Sequence, residues 1–107
     1  MSSISVYVFA KWKVKQGNLT TVLSLLEQAA EKSRQEEGNL LYKIHQSTSD
    51  ANTILLYEGY VDEAAAEKHR NADHFQEIVI KSIVPLLDNR EVVMMRLLSD
   101  VADFQEP

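Results

Sequence analysis

The hydrophobic positions of this chain change period several times. Ile4, Val6, Val8, Ala10, Trp12 and Val14 alternate with a second row carrying Tyr7 and Phe9, which predicts a strand over Ile4–Val14 with apolar character on both faces. Gly17-Asn18 breaks it. From Leu19 the spacing becomes helical: Leu19, Val22, Leu26, Ala29 and Ser33 form a stripe, widened by Leu25 and Ala30, with Asn18 as the expected N-cap and Gly38 as the stop. Glu36 and Glu37 at the end of that helix oppose its dipole. Leu40–Ser47 and Thr53–Val61 alternate again around the turn cluster Ser49-Asp50-Ala51-Asn52, so they read as a hairpin. Asp62 is placed to cap a short alanine-rich helix, Glu63–Arg70. Asn71-Ala72-Asp73 interrupts it, Asp73 offers a second cap, and Phe75, Ile78, Val79, Ser82, Ile83 and Leu86 make another helical stripe. Pro85 and Asp88-Asn89 are expected to end it, and Glu91–Leu98 reads as the last strand.

The order is β-α-β-β-α-β, the ferredoxin-like α+β arrangement, expected as one domain over residues 1–98 with an acidic tail over 99–107. Helices cover one face of such a sheet. The other face would carry Tyr7, Phe9, Val93, Met95 and Leu97, and an apolar sheet face on a small domain is satisfied most simply by a second copy packed sheet to sheet.

Composition narrows the functional classes. A formal net charge of −5 argues against nucleic acid and anionic membrane as partners. The absence of cysteine excludes thiolate catalysis, disulfides and thiolate zinc sites. No apolar run approaches a membrane span and the first residues read as a strand rather than a signal peptide, so a cytoplasmic location is expected. Gly-rich phosphate loops, dinucleotide fingerprints and nucleophile elbows are missing from the sequence.

The candidate chemistry rests on a few side chains. His69 ends the short helix one turn after Ala65 and Ala66, whose small size leaves room for a ligand above the sheet, and imidazole exchanges protons near neutral pH. A half-exposed histidine bonded to a backbone carbonyl suits the same position. His74, before the next helix, reads either as a pocket residue or as a loop histidine satisfying turn backbone. His45 reads as a surface cross-strand partner. His69 and His74 are five apart across a helix break, which is not metal spacing on one helix face, so no metal is expected. Glu58 sits mid-strand among Ile54, Leu56 and Tyr60; burial there requires a partner, such as Arg96 or a tyrosine, at a dimer interface or in a cavity. Trp12, Tyr42, Tyr57 and Tyr60 suit either stacking and hydrogen bonding to a flat substrate or plain core packing.

Four blocks in order resemble the antibiotic biosynthesis monooxygenase family. Trp12-Lys13-Val14-Lys15-Gln16-Gly17 is similar to its strand-to-helix entry, and Glu36-Glu37-Gly38-Asn39-Leu40 to its E-x-G-x-L turn. Tyr57-Glu58-Gly59-Tyr60-Val61-Asp62 resembles its E-x-W/Y-x-D strand end, with tyrosine for the commoner tryptophan. His69-Arg70-Asn71-Ala72-Asp73-His74-Phe75 resembles its H-x-x-S/T-x-H-F/Y segment, with Ala72-Asp73 in place of a Ser/Thr-Pro pair. The resemblance implies a homodimeric α+β barrel with a small organic substrate between sheet and helices. It makes His69 the catalytic histidine and Glu58, Tyr60, His74 and Phe75 its substrate-binding neighbours, beside Trp12 and Tyr42.

The expected activity is oxidation of a small quinol, phenol or enol by dioxygen as co-substrate, with no metal or flavin cofactor. The Glu36–Leu40 and Tyr57–Tyr60 blocks are also similar to the family's phospho-autoinducer-2 isomerase branch. That alternative keeps proton abstraction by His69 and calls for phosphate-binding cations, with Lys43, Arg70 and Arg96 as candidates. The third possibility is a non-catalytic dimer that binds a small molecule.

Overall fold

A computed structural model describes residues 4–101 of the chain. Strands β1 (Val6–Val14), β2 (Asn39–Gln46), β3 (Thr53–Tyr60) and β4 (Leu87–Met95) form one antiparallel sheet in the order β2-β3-β1-β4. Helices α1 (Leu19–Arg34) and α2 (Glu63–Asn71) precede a nine-residue π-helix, Phe75–Ile83, which runs into a 3₁₀ turn, Val84–Leu86. This is the ferredoxin-like α+β fold expected from the periodicity.

The core lies on the sheet face that carries the even-numbered residues of β1. Ala10, Trp12 and Val14 meet Ile54 and Leu56 of β3, Val22, Leu26, Ala29 and Ala30 of α1, and Val79 and Ile83 of the π-helix. Ser33, a polar member of the α1 stripe, is buried at little cost because its hydroxyl donates to the Ala29 carbonyl oxygen at 2.7 Å. Leu26 is fully buried at the centre. Leu26→Ala is expected to cost about 2–5 kcal/mol, read as a lower denaturant midpoint at unchanged slope in equilibrium unfolding.

Several boundaries differ from the sequence reading. Asn18 starts α1 without a side-chain cap, and its N–H instead closes a turn onto the Lys15 carbonyl. Asp73 does not cap the next helix, because Asp73 and His74 already lie in helical backbone ahead of the π-helix. Gly38 is not a left-handed stop; the one positive φ among the described residues is at Gly17. Gly38 is demanded instead by packing, since a Cβ there would lie 2.4 Å from the Ala65 Cβ. The α1–β2 turn can therefore lie directly against α2. Asp62 does cap α2, accepting from the Ala65 N–H at 2.8 Å. The β2–β3 turn is held by Asp50, which accepts from the Asn52 N–H, the Thr53 hydroxyl and Lys13.

The last strand begins at Leu87 rather than Glu91, and Leu98–Asp100 form a 3₁₀ turn. The expected tail beyond Val101 lies outside the described residues. β4 is an edge strand that the helices do not reach: Val92 and Met94, on the core side, are each 47% exposed. On the opposite sheet face Tyr7 stacks on Tyr57, and Val93 and Leu97 stand exposed.

Candidate functional site

The uncovered flank of β4 opens into a pocket between the sheet and the ends of α2 and the π-helix. It holds about 520 Å³ of free space, including its open mouth. Its apolar walls come from Val8, Ala10 and Trp12 on β1, Leu56 on β3, Ala66 on α2 and Val79 on the π-helix. Against them stand Tyr42, Glu58, Tyr60, His69 and Phe75, with Arg70, Arg90, Val92 and Met94 completing the lining. The strand pairs Val8↔Met94, Ala10↔Val92 and Trp12↔Arg90 bring β4 into the site.

His69 is the centre of the polar wall. It is 5% exposed, and its two ring nitrogens have different partners. Nδ1 lies 2.8 Å from Glu36 Oε2, while Nε2 lies 3.6 Å from Glu58 Oε1. A carboxylate beside Nδ1 favours the tautomer in which Nδ1 carries the proton and donates it to Glu36. Nε2 is then left with a lone pair on the pocket side. The same Glu36 oxygen is 2.5 Å from His74 Nε2. His69 is held laterally by the Tyr60 and Phe75 rings, with centroids at 5.0 and 5.1 Å.

Glu58 accepts from the Tyr60 hydroxyl at 2.7 Å. Burial raises its pKa, partly offset by that hydrogen bond and by His69, so its carboxyl keeps a proton more readily than an exposed glutamate does. Burial also pushes the Tyr42 and Tyr60 phenols upward, with the nearby Glu58 charge adding to it, so both remain hydrogen-bond donors. The Trp12 indole N–H is buried and has no acceptor among the described residues. A buried donor of this kind is costly to leave unpaired, and in a pocket wall it suits an acceptor oxygen of a ligand.

Of the residues singled out in the sequence, Trp12, Tyr42, Glu58, Tyr60, His69 and Phe75 line this pocket together. His74 does not. It lies behind His69, in a neighbouring cavity lined by Glu36, Glu37, Gly38, Ala65, Lys68, Ala72 and His74, and its ring bonds a carboxylate rather than turn backbone. Glu58 faces the pocket and bonds Tyr60; Arg96 instead lies 3.7 Å from Glu63 on the surface. Of the proposed phosphate ligands, only Arg70 lines the pocket. His45 is exposed and approaches the cross-strand Leu55 carbonyl at 3.3 Å, the surface role expected of it.

Two site residues escaped the sequence reading. In the sequence Glu36 stands out only as a charge opposing the helix dipole and as part of the Glu36–Leu40 block. Arg90 falls between the Asp88-Asn89 pair, expected to end the helix, and the strand expected from Glu91. The available signal was the break at Asn71-Ala72-Asp73, which turns the chain so that His69 and His74 face one carboxylate. Together Glu36, His69 and His74 are the described residues placed to hold a metal ion, with one ligand atom each, all within 4.8 Å of one another.

Comparison with known proteins agrees with this architecture. Residues 5–81 match the family model described as antibiotic biosynthesis monooxygenase. The Bacillus subtilis protein YcnE, whose name assigns it a monooxygenase activity provisionally, is 36% identical over 69 residues, covering 64% of this chain and 73% of its own. A crystal structure of a Pseudomonas aeruginosa protein superposes with a TM-score of 0.83 at 26% identity, covering 92% of this chain and 98% of that one. A crystal structure described as an antibiotic biosynthesis monooxygenase gives 0.82 at 26% identity, covering 87% and 98%. A conserved protein of Methanosarcina mazei gives 0.82 at 26%, covering 87% and 92%. With a family match spanning β1 to the π-helix, this chain belongs to the antibiotic biosynthesis monooxygenase family.

Proposed function

We propose that this chain is an oxygenase that uses no metal or flavin of its own and oxidises a small phenol, quinol or enol with dioxygen. The observation that carries this reading is the buried His69, whose Nδ1 is held by Glu36 and whose Nε2 faces a pocket walled by aromatic rings. His69 Nε2 takes a proton from the substrate and leaves its electron pair on a delocalised oxygen or carbon anion. The anion passes one electron to dioxygen, and the resulting radical and superoxide combine to form a C–O bond. For an activated CH₂ group, loss of water from the hydroperoxide leaves a carbonyl. Both reducing equivalents come from the substrate, so CH₂ and O₂ yield C=O and H₂O with no external reductant. The protein's contribution is proton removal, orientation between Trp12, Tyr60 and Phe75, hydrogen bonding to the anionic oxygen, and exclusion of water.

A second reading draws on Arg70 and Arg90, both of which line the pocket. Two guanidinium groups suit a phosphorylated substrate, and the same proton abstraction next to a carbonyl would then give an isomer without oxygen. Oxygen-electrode assays with a panel of quinols and anthrones, run beside phosphorylated dicarbonyls followed by NMR, separate the two. Substrate-dependent oxygen consumption supports the oxygenase. Isomer formation without oxygen uptake favours the second reading, and binding without turnover of either panel overturns both.

A second copy of the chain is the proposed cover for the exposed sheet face, giving a homodimeric α+β barrel. Tyr7, Phe9, Val93 and Leu97 are the apolar residues it would bury. Sedimentation at micromolar concentration is expected to give a dimer, shifted toward monomer by Val93→Glu. A stable wild-type monomer would sink the proposal.

A further inference from the structure

We infer that Glu36, His69 and His74 form a binding site for a divalent transition-metal ion of the zinc class. The three donors come from three separate segments: the α1–β2 turn, the last turn of α2 and the residue before the π-helix. Their ligand atoms, Glu36 Oε2, His69 Nδ1 and His74 Nε2, all lie within 4.8 Å of one another. Two imidazoles and a carboxylate are a donor set that zinc and its neighbours accept, with a fourth position left for water. The cavity beside His74 supplies that position, and its two other charges, Glu37 and Lys68, offset each other.

Charge points the same way. Glu36 has only imidazole partners within ion-pair distance among the described residues, and no lysine or arginine among them. A divalent ion compensates its charge. A supporting carboxylate is near: with the ion on His69 Nδ1, the ring proton moves to Nε2, which lies 3.6 Å from Glu58 Oε1 and needs an approach of about 0.5 Å to donate to it. A carboxylate receiving the far N–H of a ligating histidine fixes its orientation and raises its basicity as a ligand. Donors on a tetrahedral ion sit about 3.3 Å apart, so the Glu36 carboxylate has to withdraw by less than about 1 Å from its present hydrogen bonds at 2.8 and 2.5 Å, and the two imidazole nitrogens, now within 4.8 Å, have to close by up to about 1.5 Å, which rotation of the His74 ring toward His69 would supply. The ring protons that now face Glu36 transfer to the opposite nitrogens, with no change in electron count. If the proposed function holds, the ion removes the free lone pair on His69 Nε2 and switches the base off.

The test uses untagged protein, stripped with a chelator and titrated with Zn²⁺ in a calorimeter and with Co²⁺ by visible absorption. One ion per chain is expected, lost in Glu36→Gln and in His74→Ala, and weakened about 10- to 100-fold in Glu58→Gln. His45→Ala should bind as the wild type does. Circular dichroism checks each fold, and His74→Asn replaces the alanine variant if that one unfolds. Absence of saturable binding by the wild type overturns the proposal. Undiminished binding in the Glu36 and His74 variants overturns it equally. The isotherm needs no substrate, so it stands apart from the catalytic reading. If the ion binds but leaves oxygen consumption unchanged, the site is retained and the role given to His69 Nε2 falls.

Discussion

Replacing His69 with alanine is expected to lower turnover of any substrate of this pocket by about 10²- to 10⁴-fold, the range a positioned general base contributes. His69 brings a ring nitrogen into a pocket otherwise lined by apolar side chains, the Trp12 indole, phenols that burial keeps protonated, a glutamate whose pKa burial raises, and two arginines, which are not bases. Alanine also removes a ring packed between Tyr60 and Phe75, so His69→Gln, which keeps much of the volume without a comparable base, separates chemistry from packing. Both variants should lose kcat while circular dichroism and chemical denaturation report a folded chain. Full activity in folded His69→Gln on a confirmed substrate would remove His69 from the mechanism.

Glu36→Gln is expected to cost about 10²-fold or more in kcat, although Glu36 does not line the pocket. Its carboxylate holds His69 in the Nδ1–H tautomer and stabilises the imidazolium that forms when Nε2 takes a proton. In the serine-protease triad the equivalent carboxylate-to-amide change leaves the geometry intact and drops kcat by about 10⁴ because the tautomer is wrong. Glu36 is shared with His74, so its charge acts on two rings and a smaller loss is expected here. A KM close to wild type with a reduced kcat marks a residue acting through His69. A rise in KM alone would make Glu36 a structural support of the pocket wall.

The fold was legible where one face of an element is buried. Val6 to Val14 alternate because β1 is a central strand whose even positions meet α1 and the π-helix, and Leu19 to Ser33 keep a helical period for the complementary reason. The last strand was misplaced because it is an edge strand. Asp88, Asn89 and Arg90 remain solvated there, so polar residues that resemble a turn are tolerated inside a strand, and Arg90 was hidden with them. The π-helix was also hidden, because Phe75, Val79 and Ile83 satisfy a helical stripe at either pitch; the i→i+5 bond from the Val84 N–H to the Val79 carbonyl is what distinguishes it. Alternation put Trp12 on the same sheet face as Val8 and Ala10, and Glu58 and Tyr60 on the same face as Leu56, while the family resemblance made Glu58 and Tyr60 site residues. The Glu36–His69–His74 contact did not, since it joins residues 33 and 38 positions apart through a turn whose tight seat against α2 depends on Gly38.

In the proposed mechanism metal-free His69 carries its proton on Nδ1 and presents a bare Nε2 to the pocket. Nitrogen-15 NMR of the imidazole ring in chelator-treated protein reads this directly. The expected spectrum has a protonated Nδ1 and an unprotonated Nε2 for His69 in the wild type, with that preference weakened in Glu36→Gln. A wild-type His69 protonated on Nε2 and bare on Nδ1 would overturn this mechanism, because the ring would then point its N–H toward Glu58 and keep its lone pair on the Glu36 side, away from the substrate.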